Sequence, residues 1–302
     1  GHNIINTTKS ETFGEGEGII AYGELDIIGE GTVQGSTMAV WARGNNNAVV
    51  NIYGGTFLGC DEGFAKGGRS VIYASSGNTI DIYGGEFQAL AADKTSYANK
   101  TDGVFAALNV ADNNGVINVY GGRFYKQNPA APGTEPKAWN DAHLNGFVAK
   151  GYTTVADGDD WYKVVPVVVK KLMGVTTATT VELTENVVVR TGQTIQTQDA
   201  TGAITIDGKG KSIVSVANSV DDFQWDGNLP DMSTILSSYN GAKVTVNNLN
   251  FEGTMSALML GHYVDSNSDW YNTELNNVNV INTKVVSFSA NIAPAVCIYG
   301  KA

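Results

Sequence analysis

The sequence predicts an all-β solenoid, a chain whose strands coil in one direction so that each coil stacks on the one before. The first observation is a repeated heptapeptide: NIYGGTF at 51–57 returns as DIYGGEF at 81–87 and as NVYGGRF at 118–124. Self-similarity at intervals of about 20 to 50 residues is typical of repeat architectures. The second is composition, because glycine accounts for 36 of 302 residues and charged residues for only 16%. That balance favours strands and tight turns over surface helices.

Each copy of the heptapeptide is predicted to form a strand, a glycine bend and a short second strand. Apolar residues alternate along it, and period two indicates a strand with one buried face. The residues expected on that face are Val50, Ile52 and Phe57; Ile80, Ile82 and Phe87; and Ile117, Val119 and Phe124. The bends are expected at the glycine pairs 54/55, 84/85 and 121/122, since glycine readily adopts the positive φ of a sharp corner.

A further apolar strand precedes each copy and completes a coil of about 23 to 40 residues. It lies in TMAVWARG, RSVIYASSG and DGVFAALNV, and NGFVAKGYTTV is predicted to be the same strand after the third copy. A looser copy, LDIIGEGTV at 25–33, places Ile28 where Tyr53 stands in the next coil. Antiparallel hairpins give no reason for the same letters in every coil, whereas parallel stacking sets each motif about 4.8 Å from its copy. The coils are therefore predicted to be parallel.

The second half of the chain repeats this logic with asparagine. VTVNNLNF at 244–251 and ELNNVNV at 274–280 have the same strand-and-bend pattern, and AITIDGKGKSI and TVELTENVVV look like two earlier coils. The alignment pairs Asn247 with Asn276 and Asn248 with Asn277. Because stacked amides can hydrogen-bond along a column, we expect an asparagine ladder.

The chain is predicted to contain two consecutive modules. The first spans 1–166 and closes with a hairpin in DGDDWYKVVP, and a linker follows at 167–176. The second module spans 177–302 and is expected to continue beyond the C-terminus, because AVCIYGKA has no following IYGG partner strand.

These coils resemble the right-handed parallel β-helix of the pectate-lyase-like superfamily over nearly the whole chain. The IYGGxF coils that end in FVAKGYTTVADGDDWYKVVP at 147–166 are similar to repeat modules of bacterial adhesin-like surface proteins and to phage fibres and spikes. The resemblance implies a right-handed β-helix. It leaves function divided between two classes, because one fold supports many functions. One is a non-catalytic extracellular structural or attachment protein, on a bacterial cell surface or a phage virion. The other is a polysaccharide lyase or glycoside hydrolase of the pectin-degrading type.

The enzyme alternative depends on a few polar residues. Polygalacturonase-like hydrolases of this superfamily show Asn-Thr-Asp, Asp-Asp, Gly-His-Gly and Arg-Ile-Lys motifs on successive coils. Here Asp221 and Asp222, with His262 in GHY, are similar to two of these four, and the other two are absent. Neighbouring Asp residues on one strand point to opposite faces, whereas inverting hydrolysis needs two carboxyls facing each other across about 6.5 to 9.5 Å. We therefore expect no catalytic residues and favour the structural alternative.

No metal and no cofactor are expected. The turn ADGDD offers Asp157, Asp159 and Asp160 as candidate calcium ligands. No Glu lies at EF-hand spacing, so we interpret it as an acidic turn. Cys60 and Cys297 lie in no CxxC motif, which leaves their disulfide state open. The three histidines show no spacing typical of zinc ligands; they are His2, His143 and His262.

Charge and hydropathy limit the partners. A net charge of -11 repels a phosphate backbone, so nucleic acid is not an expected partner. No apolar run reaches the roughly 18 residues of a membrane span; the nearest, VVPVVVKKLM at 164–173, is interrupted by proline. The expected partners are host or cell-surface glycans, further segments of the same polypeptide and neighbouring subunits.

Outward-facing aromatic residues are the candidate ligand-binding residues. Tyr53 points outward because its neighbours in the strand point inward, and Tyr83 and Tyr120 repeat its position, so three phenol rings are predicted to stack. Trp41 and Tyr73 are predicted to form a second column by the same argument. Aromatic rings beside Asn and Asp commonly hold sugar rings. A stacked aromatic ladder also stabilises coils with no ligand, so glycan contact and stabilisation both remain interpretations.

Overall fold

A computed structural model describes residues 2–8, 15–44, 47–60, 70–75, 77–90, 106–110, 114–130, 146–172, 175–190, 195–196, 202–216, 236–237, 243–253, 258–260, 273–282 and 296–298. Over these residues the chain is all-β apart from one short α-helix, and its strands are mostly parallel in stacked sheets. The chain divides into two compact units. Unit 1 is Gly1–Ala149 with Thr153–Val164, and unit 2 is Lys150–Tyr152 with Val165–Ala302.

The first half of the chain visits three sheets in rotation. Its strands are β1 (Ile4–Asn6), β2 (Ile19–Ala21), β3 (Glu24–Ile27), β4 (Thr32–Gly35), β5 (Val40–Ala42), β6 (Val49–Ile52), β7 (Thr56–Gly59), β8 (Ser70–Ala74), β9 (Thr79–Ile82), β10 (Glu86–Ala89), β11 (Ala106–Val110), β12 (Val116–Val119), β13 (Arg123–Tyr125), β14 (Tyr152–Ala156) and β15 (Trp161–Pro166). From β1 to β13 each strand pairs in parallel with the strand three places earlier, which gives the orders β1-β4-β7-β10-β13, β2-β5-β8-β11 and β3-β6-β9-β12. We call three consecutive strands, one from each sheet, a coil.

The parallel register stacks like residues on like residues inside unit 1. Phe57 pairs with Phe87 and Phe87 with Phe124, and their rings stack with centroids 4.9 Å apart. Ile52 pairs with Ile82 in the same manner. All nine residues that the sequence assigned to the buried face are 0% exposed, which confirms the prediction; they are Val50, Ile52, Phe57, Ile80, Ile82, Phe87, Ile117, Val119 and Phe124.

The predicted glycine bends are present, and the second glycine of each pair carries the unusual backbone. Gly55, Gly85 and Gly122 have φ of 106°, 109° and 97°, a region that side chains with a Cβ rarely adopt. The stack adds a second constraint, because a Cβ on Gly85 would lie 3.0 Å from the carbonyl oxygen of Gly55. The bends therefore need glycine both for conformation and for close approach of consecutive coils.

Unit 1 changes from parallel to antiparallel pairing where the hairpin was predicted. Strand β15 pairs antiparallel with β13, and β14 lies outside β15 in the same sheet. One sequence prediction is corrected here: within NGFVAKGYTTV, Val148 forms a parallel bridge to Val119 of β12, so this stretch does not repeat the strand of β11. Gly146 and Gly151, with φ of 90° and 89°, redirect the chain on either side of that bridge, and Tyr152 begins β14.

The second half also forms parallel sheets. Its elements are α1 (Val167–Leu172), β16 (Thr179–Glu182), β17 (Val187–Arg190), β18 (Ile195–Gln196), β19 (Ile204–Asp207), β20 (Ser212–Val216), β21 (Leu236–Ser237), β22 (Val244–Asn247), β23 (Asn250–Gly253), β24 (Leu258–Leu260), β25 (Thr273–Asn276), β26 (Asn279–Asn282) and β27 (Val296–Ile298). The sheet orders are β16-β19-β22-β25, β17-β20-β23-β26, β18-β21 and β24-β27. The four coils expected from the sequence in this half correspond to β16–β17, β19–β20, β22–β23 and β25–β26.

Helix α1 occupies most of the segment that the sequence assigned to a linker. Val168 and Leu172, four residues apart, are both buried, which is the spacing of one face of a helix. Lys170 and Lys171 lie in its last turn, where positive charge complements the helix dipole. An apolar run that the sequence assigned to a linker therefore forms a helix with one buried face.

We predict that replacing Gly85 by alanine destabilises unit 1 by about 2 to 4 kcal/mol, because the new Cβ combines a strained φ with a contact to the Gly55 carbonyl oxygen. Gly29→Ala is the first control: its φ is 100° but nothing lies within 4 Å of the added Cβ, so only strain of about 1 kcal/mol is expected. Gly23→Ala, with neither strain nor a neighbour within 4 Å, should change stability by less than about 0.5 kcal/mol. Urea unfolding followed by tryptophan fluorescence measures all three; equal losses would contradict the stacking argument.

Candidate functional site

The predicted aromatic column exists on the outer face of the third sheet. Tyr53, Tyr83 and Tyr120 directly follow β6, β9 and β12. The amides of Tyr83 and Tyr120 each donate a 2.8 Å hydrogen bond to a carbonyl of the preceding coil, that of Ile52 in β6 and that of Ile82 in β9. Their rings are parallel within 9°, with centroids 5.1 Å apart for the first pair and 4.9 Å for the second. We call these three residues the tyrosine column.

The stacking geometry limits how the tyrosine column can meet a ligand. Both faces of the Tyr83 ring are covered, one by Tyr53 and the other by Tyr120. A sugar ring that stacks on an aromatic side chain needs a free ring face, so Tyr83 can offer only its edge and its hydroxyl. All three tyrosines are half-buried. The column is therefore a surface of ring edges and phenolic groups rather than a flat stacking platform.

The phenols of Tyr83 and Tyr120 keep their protons to unusually high pH. Burial, followed by the negative charge of Asp81, raises the pKa of Tyr83 well above its ordinary value. The same two causes raise the pKa of Tyr120. Both hydroxyls therefore stay neutral at physiological pH and can donate a hydrogen bond.

A second column of carboxylates and amides runs beside the tyrosine column. Asp26, Asn51, Asp81 and Asn118 are in register across β3, β6, β9 and β12, two positions before Ile28 and the three tyrosines. Asn51 donates to Asp26 at 2.9 Å, and Asn118 donates to Asp81 at 2.8 Å. Burial raises the pKa of the Asp81 carboxyl, and the hydrogen bond from Asn118 opposes that effect. We call these four residues the acid-amide column.

Trp41 and Tyr73 lie elsewhere, in the second sheet, where they are register partners. Their rings meet edge to face, at 6.2 Å and 62°, so they do not continue the parallel stacking of the tyrosine column. Trp41 is only 7% exposed, its indole N–H donates to Ser75 Oγ at 2.6 Å, and the guanidinium of Arg43 lies 4.4 Å over its ring. The five sequence-predicted residues thus form two separate groups.

Sequence reasoning missed a cluster around Arg123. Its guanidinium bonds to Glu86 Oε1 at 2.7 Å and to Asp157 Oδ2 at 2.5 Å, and it lies 4.8 Å over the ring of Trp161. The repeat contained the signal, because the sixth letters of DIYGGEF and NVYGGRF are Glu86 and Arg123, which the register places side by side. The opposite-charge pair links β13 to β10, and the contacts of Arg123 with Asp157 and Trp161 link β13 to the hairpin.

The carboxylates of the acidic turn pair with basic side chains rather than with one another. Asp157 contacts Arg123, and Asp160 lies 3.8 Å from Lys126 Nζ. Asp159 is exposed. Among the residues that the structure describes, no three His, Cys, Asp or Glu side chains are grouped as metal ligands.

Unit 2 contains the predicted asparagine ladder. Asn276 donates to Asn247 at 3.0 Å, and Asn277 donates to Asn248 at 2.9 Å. A third rung was not predicted: Asn279 donates to Asn250 at 2.7 Å. Asn248 and Asn277 have φ of 50° and 53°, the left-handed conformation that asparagine tolerates well. The Asn-Asn corner of unit 2 therefore serves the purpose that the Gly-Gly corner serves in unit 1.

The remaining candidates are only partly placed. Asp221, Asp222, His143 and His262 lie outside the described residues, and His2 is exposed. Cys60 is buried and forms no disulfide with another described residue, and Cys297 lies in β27. Within the described ranges, no helix has the length and apolar character needed to cross a membrane.

Comparison of the chain with protein-family models, with curated proteins and with solved structures finds no match. The geometry of the columns is therefore the basis on which a function can be proposed.

We predict that Tyr83→Ala lowers the free energy of unfolding of unit 1 by about 2 to 4 kcal/mol, since it removes two ring contacts of about 0.5 to 1.5 kcal/mol each and part of the buried apolar area. Tyr83→Phe keeps both contacts and should cost less than about 0.5 kcal/mol. Tyr22→Ala is the matched control, because Tyr22 is 65% exposed and should lose little. Chemical unfolding measures the three values, and a Tyr83→Ala loss no larger than that of Tyr22→Ala would contradict a stabilising role.

We also predict that Asp81→Asn stabilises unit 1 at pH 7. Because burial raises the folded-state pKa of Asp81, the stabilising contribution of its protonated form is complete below the unfolded pKa of about 3.9 and is lost as the pH rises through the folded value. The gain at pH 7 should be at most about 1 kcal/mol, since the side chain is part-exposed and water screens its charge, and it should vanish near pH 3.

Asp26→Asn is the control, because Asp26 is the exposed end of the same column and should respond little. Unfolding free energies of both variants are measured at the two pH values. A gain for Asp81→Asn that persists unchanged at low pH would exclude an electrostatic cause.

Proposed function

We propose that this chain is a right-handed parallel β-helix segment of a non-catalytic extracellular protein, which serves as a structural spacer and attachment surface. The protein is located on the surface of a bacterial cell, or it is part of a fibre or decoration protein of a phage virion. Its partners are host or cell-surface glycans, further segments of the same polypeptide and neighbouring subunits.

Strand order supports the fold in this proposal. In unit 1 the chain returns to each of three sheets at every third strand, always in parallel, through at least four successive coils. Repeated passage in one direction produces a solenoid, because each coil buries its apolar face only against its neighbours. The nearly invariant IYGG corner follows from the same geometry.

One observation supports the proposed function: the outward side chains form columns of matching groups, which stack on or hydrogen-bond to one another from coil to coil. Tyr83 contacts two tyrosines, and Asn118 bonds to Asp81. A hydrolase or lyase instead needs unlike groups from several coils converging on one reacting bond. Columns of this kind strengthen a stack and present the same chemistry repeatedly along its length, which suits a spacer with a multivalent surface.

The proposed glycan contact lies along the tyrosine and acid-amide columns. Ring edges supply apolar contact, while the phenols donate hydrogen bonds and the carboxylates and amides accept them. Neutral or basic sugars fit this surface best, because the net charge of the chain is -11 and an anionic glycan would be repelled.

Incubation with uronate-containing and neutral polysaccharides tests the absence of catalysis. We expect no rise in the absorbance of unsaturated products and no new reducing ends. Turnover that His262→Ala or Asp222→Ala abolishes would overturn the proposal in favour of a polysaccharide-degrading enzyme.

A glycan array then tests attachment. Retention without cleavage that weakens in Tyr83→Phe assigns binding to the phenol, because that variant keeps the ring stack; Tyr22→Phe is the control outside the column. Immunogold labelling of the native source locates the protein, and gold confined to the cell interior would contradict an extracellular role.

A further inference from the structure

Two buried side chains each bond to both backbone groups of a single strand residue. Gln127 and Tyr152 are both 7% exposed. The amide of Leu108 in β11 donates a 2.9 Å hydrogen bond to Gln127 Oε1, and Gln127 Nε2 donates one of 3.4 Å to the Leu108 carbonyl. In unit 2, the Tyr152 hydroxyl accepts a hydrogen bond from the amide of Val188 in β17 at 2.5 Å and donates to the Val188 carbonyl at 2.7 Å. Each side chain thus forms the two hydrogen bonds that the backbone of a neighbouring strand would form.

Both strands are terminal strands of their parallel sheets within the described residues. β11 is last in the order β2-β5-β8-β11, and β17 is first in the order β17-β20-β23-β26. On its paired side β11 bonds to β8, and β17 bonds to β20. Because the backbone groups of Leu108 and Val188 bond to side chains instead, Gln127 and Tyr152 lie where the next parallel strand would pair.

The chain turns early after β13, and this turn brings Gln127 to β11. Strands β7 and β10 have four residues each, whereas β13 has three and ends at Tyr125. The next residue, Lys126, has φ of 55°, which is uncommon for a residue with a Cβ. Its amide donates a 2.7 Å hydrogen bond to the carbonyl of Asp160, between β14 and β15. The hairpin therefore also fixes the turn from which Gln127 reaches β11.

The other two strands of the same coil are covered as well, each by a different segment. β13 pairs antiparallel with β15. In β12, the amide of Val119 donates to the carbonyl of Phe147 at 2.9 Å, and the amide of Ala149 donates to the carbonyl of Val119 at 3.0 Å. The coil formed by β11, β12 and β13 thus has a covering group on each of its three strands, and on β11 that group is a side chain.

We propose that Gln127 and Tyr152 are edge-blocking residues, which end parallel pairing at β11 and β17 and prevent a strand of another copy of the chain from adding there. An edge with unpaired N–H and C=O groups is a template for a further strand. The hazard is large in this chain, because consecutive coils have nearly the same strands and a strand from another copy would fit in register. A side-chain amide or hydroxyl forms the hydrogen bonds of one residue but offers no second row of backbone groups. Neighbouring subunits therefore attach through surfaces other than these two edges.

A fluorescent peptide of residues 69–75 is the probe for an open edge, because it has the sequence of β8, which already pairs in parallel with β11. Gln127→Ala removes both hydrogen bonds to Leu108 and frees the space of the side chain. We expect the peptide to bind this variant about tenfold or more tightly than the wild-type chain, measured by fluorescence anisotropy. Gln88→Ala is the control, because Gln88 is a half-buried residue of the interior strand β10, and it should leave peptide binding unchanged.

Hydrogen exchange tests both residues without a ligand. In the wild-type chain the amides of Leu108 and Val188 should exchange slowly, although both lie in terminal strands. Gln127→Met and Tyr152→Phe keep most of the side-chain volume but remove the hydrogen bonds. Exchange at Leu108 in the first variant and at Val188 in the second should therefore be about tenfold faster.

The reference amides are those of Ile80 in β9 and Val246 in β22, which are interior strands of unit 1 and unit 2. Their exchange rates should be the same in the wild-type chain and in both variants, because neither amide bonds to a substituted side chain.

Three outcomes would overturn the proposal. Equal peptide binding by the wild-type chain and by Gln127→Ala shows that Gln127 does not block the edge. Slow exchange at Leu108 and Val188 that persists in the variants shows that other groups protect these amides. A rise in exchange that is as large at Ile80 as at Leu108 shows a general loss of stability rather than an open edge.

Discussion

Parallel register is the constraint on which the rest of unit 1 depends. Once each strand pairs with the strand three places earlier, a residue must share its column with its own equivalent in the next coil. Phe57, Phe87 and Phe124 fill the interior in this way, with rings 4.9 Å apart, close to the spacing of neighbouring strands. A coil has no other apolar partner, so the identity of the inward residues follows from the stacking itself.

The same register operates on the outer face, where it aligns polar and aromatic side chains instead of buried apolar ones. Phenol rings stack on phenol rings, amides bond to amides or carboxylates, and Glu86 meets Arg123. In each column, side-chain groups that water would otherwise solvate contact one another. One consequence is that both ring faces of Tyr83 are covered by its neighbours. The repeated tyrosines, which the sequence suggests as sugar-stacking residues, therefore offer ring edges to a ligand.

Departures from the repeat are the informative positions in this chain. Arg123 occurs where earlier coils have Thr56 and Glu86, and there the parallel stack gives way to an antiparallel hairpin held by Asp157 and Trp161. At another corner, Glu17 Oε1 and Thr37 Oγ1 are buried without a hydrogen-bond partner among the described residues. In both places the repeat alone does not account for the residues present.

The sequence by itself determined the all-β class, the parallel stacking, the buried alternation, the glycine bends and the asparagine ladder, because each follows from a local period repeated at a fixed interval. It could not reveal that VVVKKL forms a helix, since a short apolar run fits a strand equally well until Val168 and Leu172 find a common buried side. Nor could it reveal that the rings of Trp41 and Tyr73 meet edge to face, or bring Asp157 to Arg123. Those outcomes depend on which sheet a strand joins and where the chain reverses, and contacts between distant segments decide both.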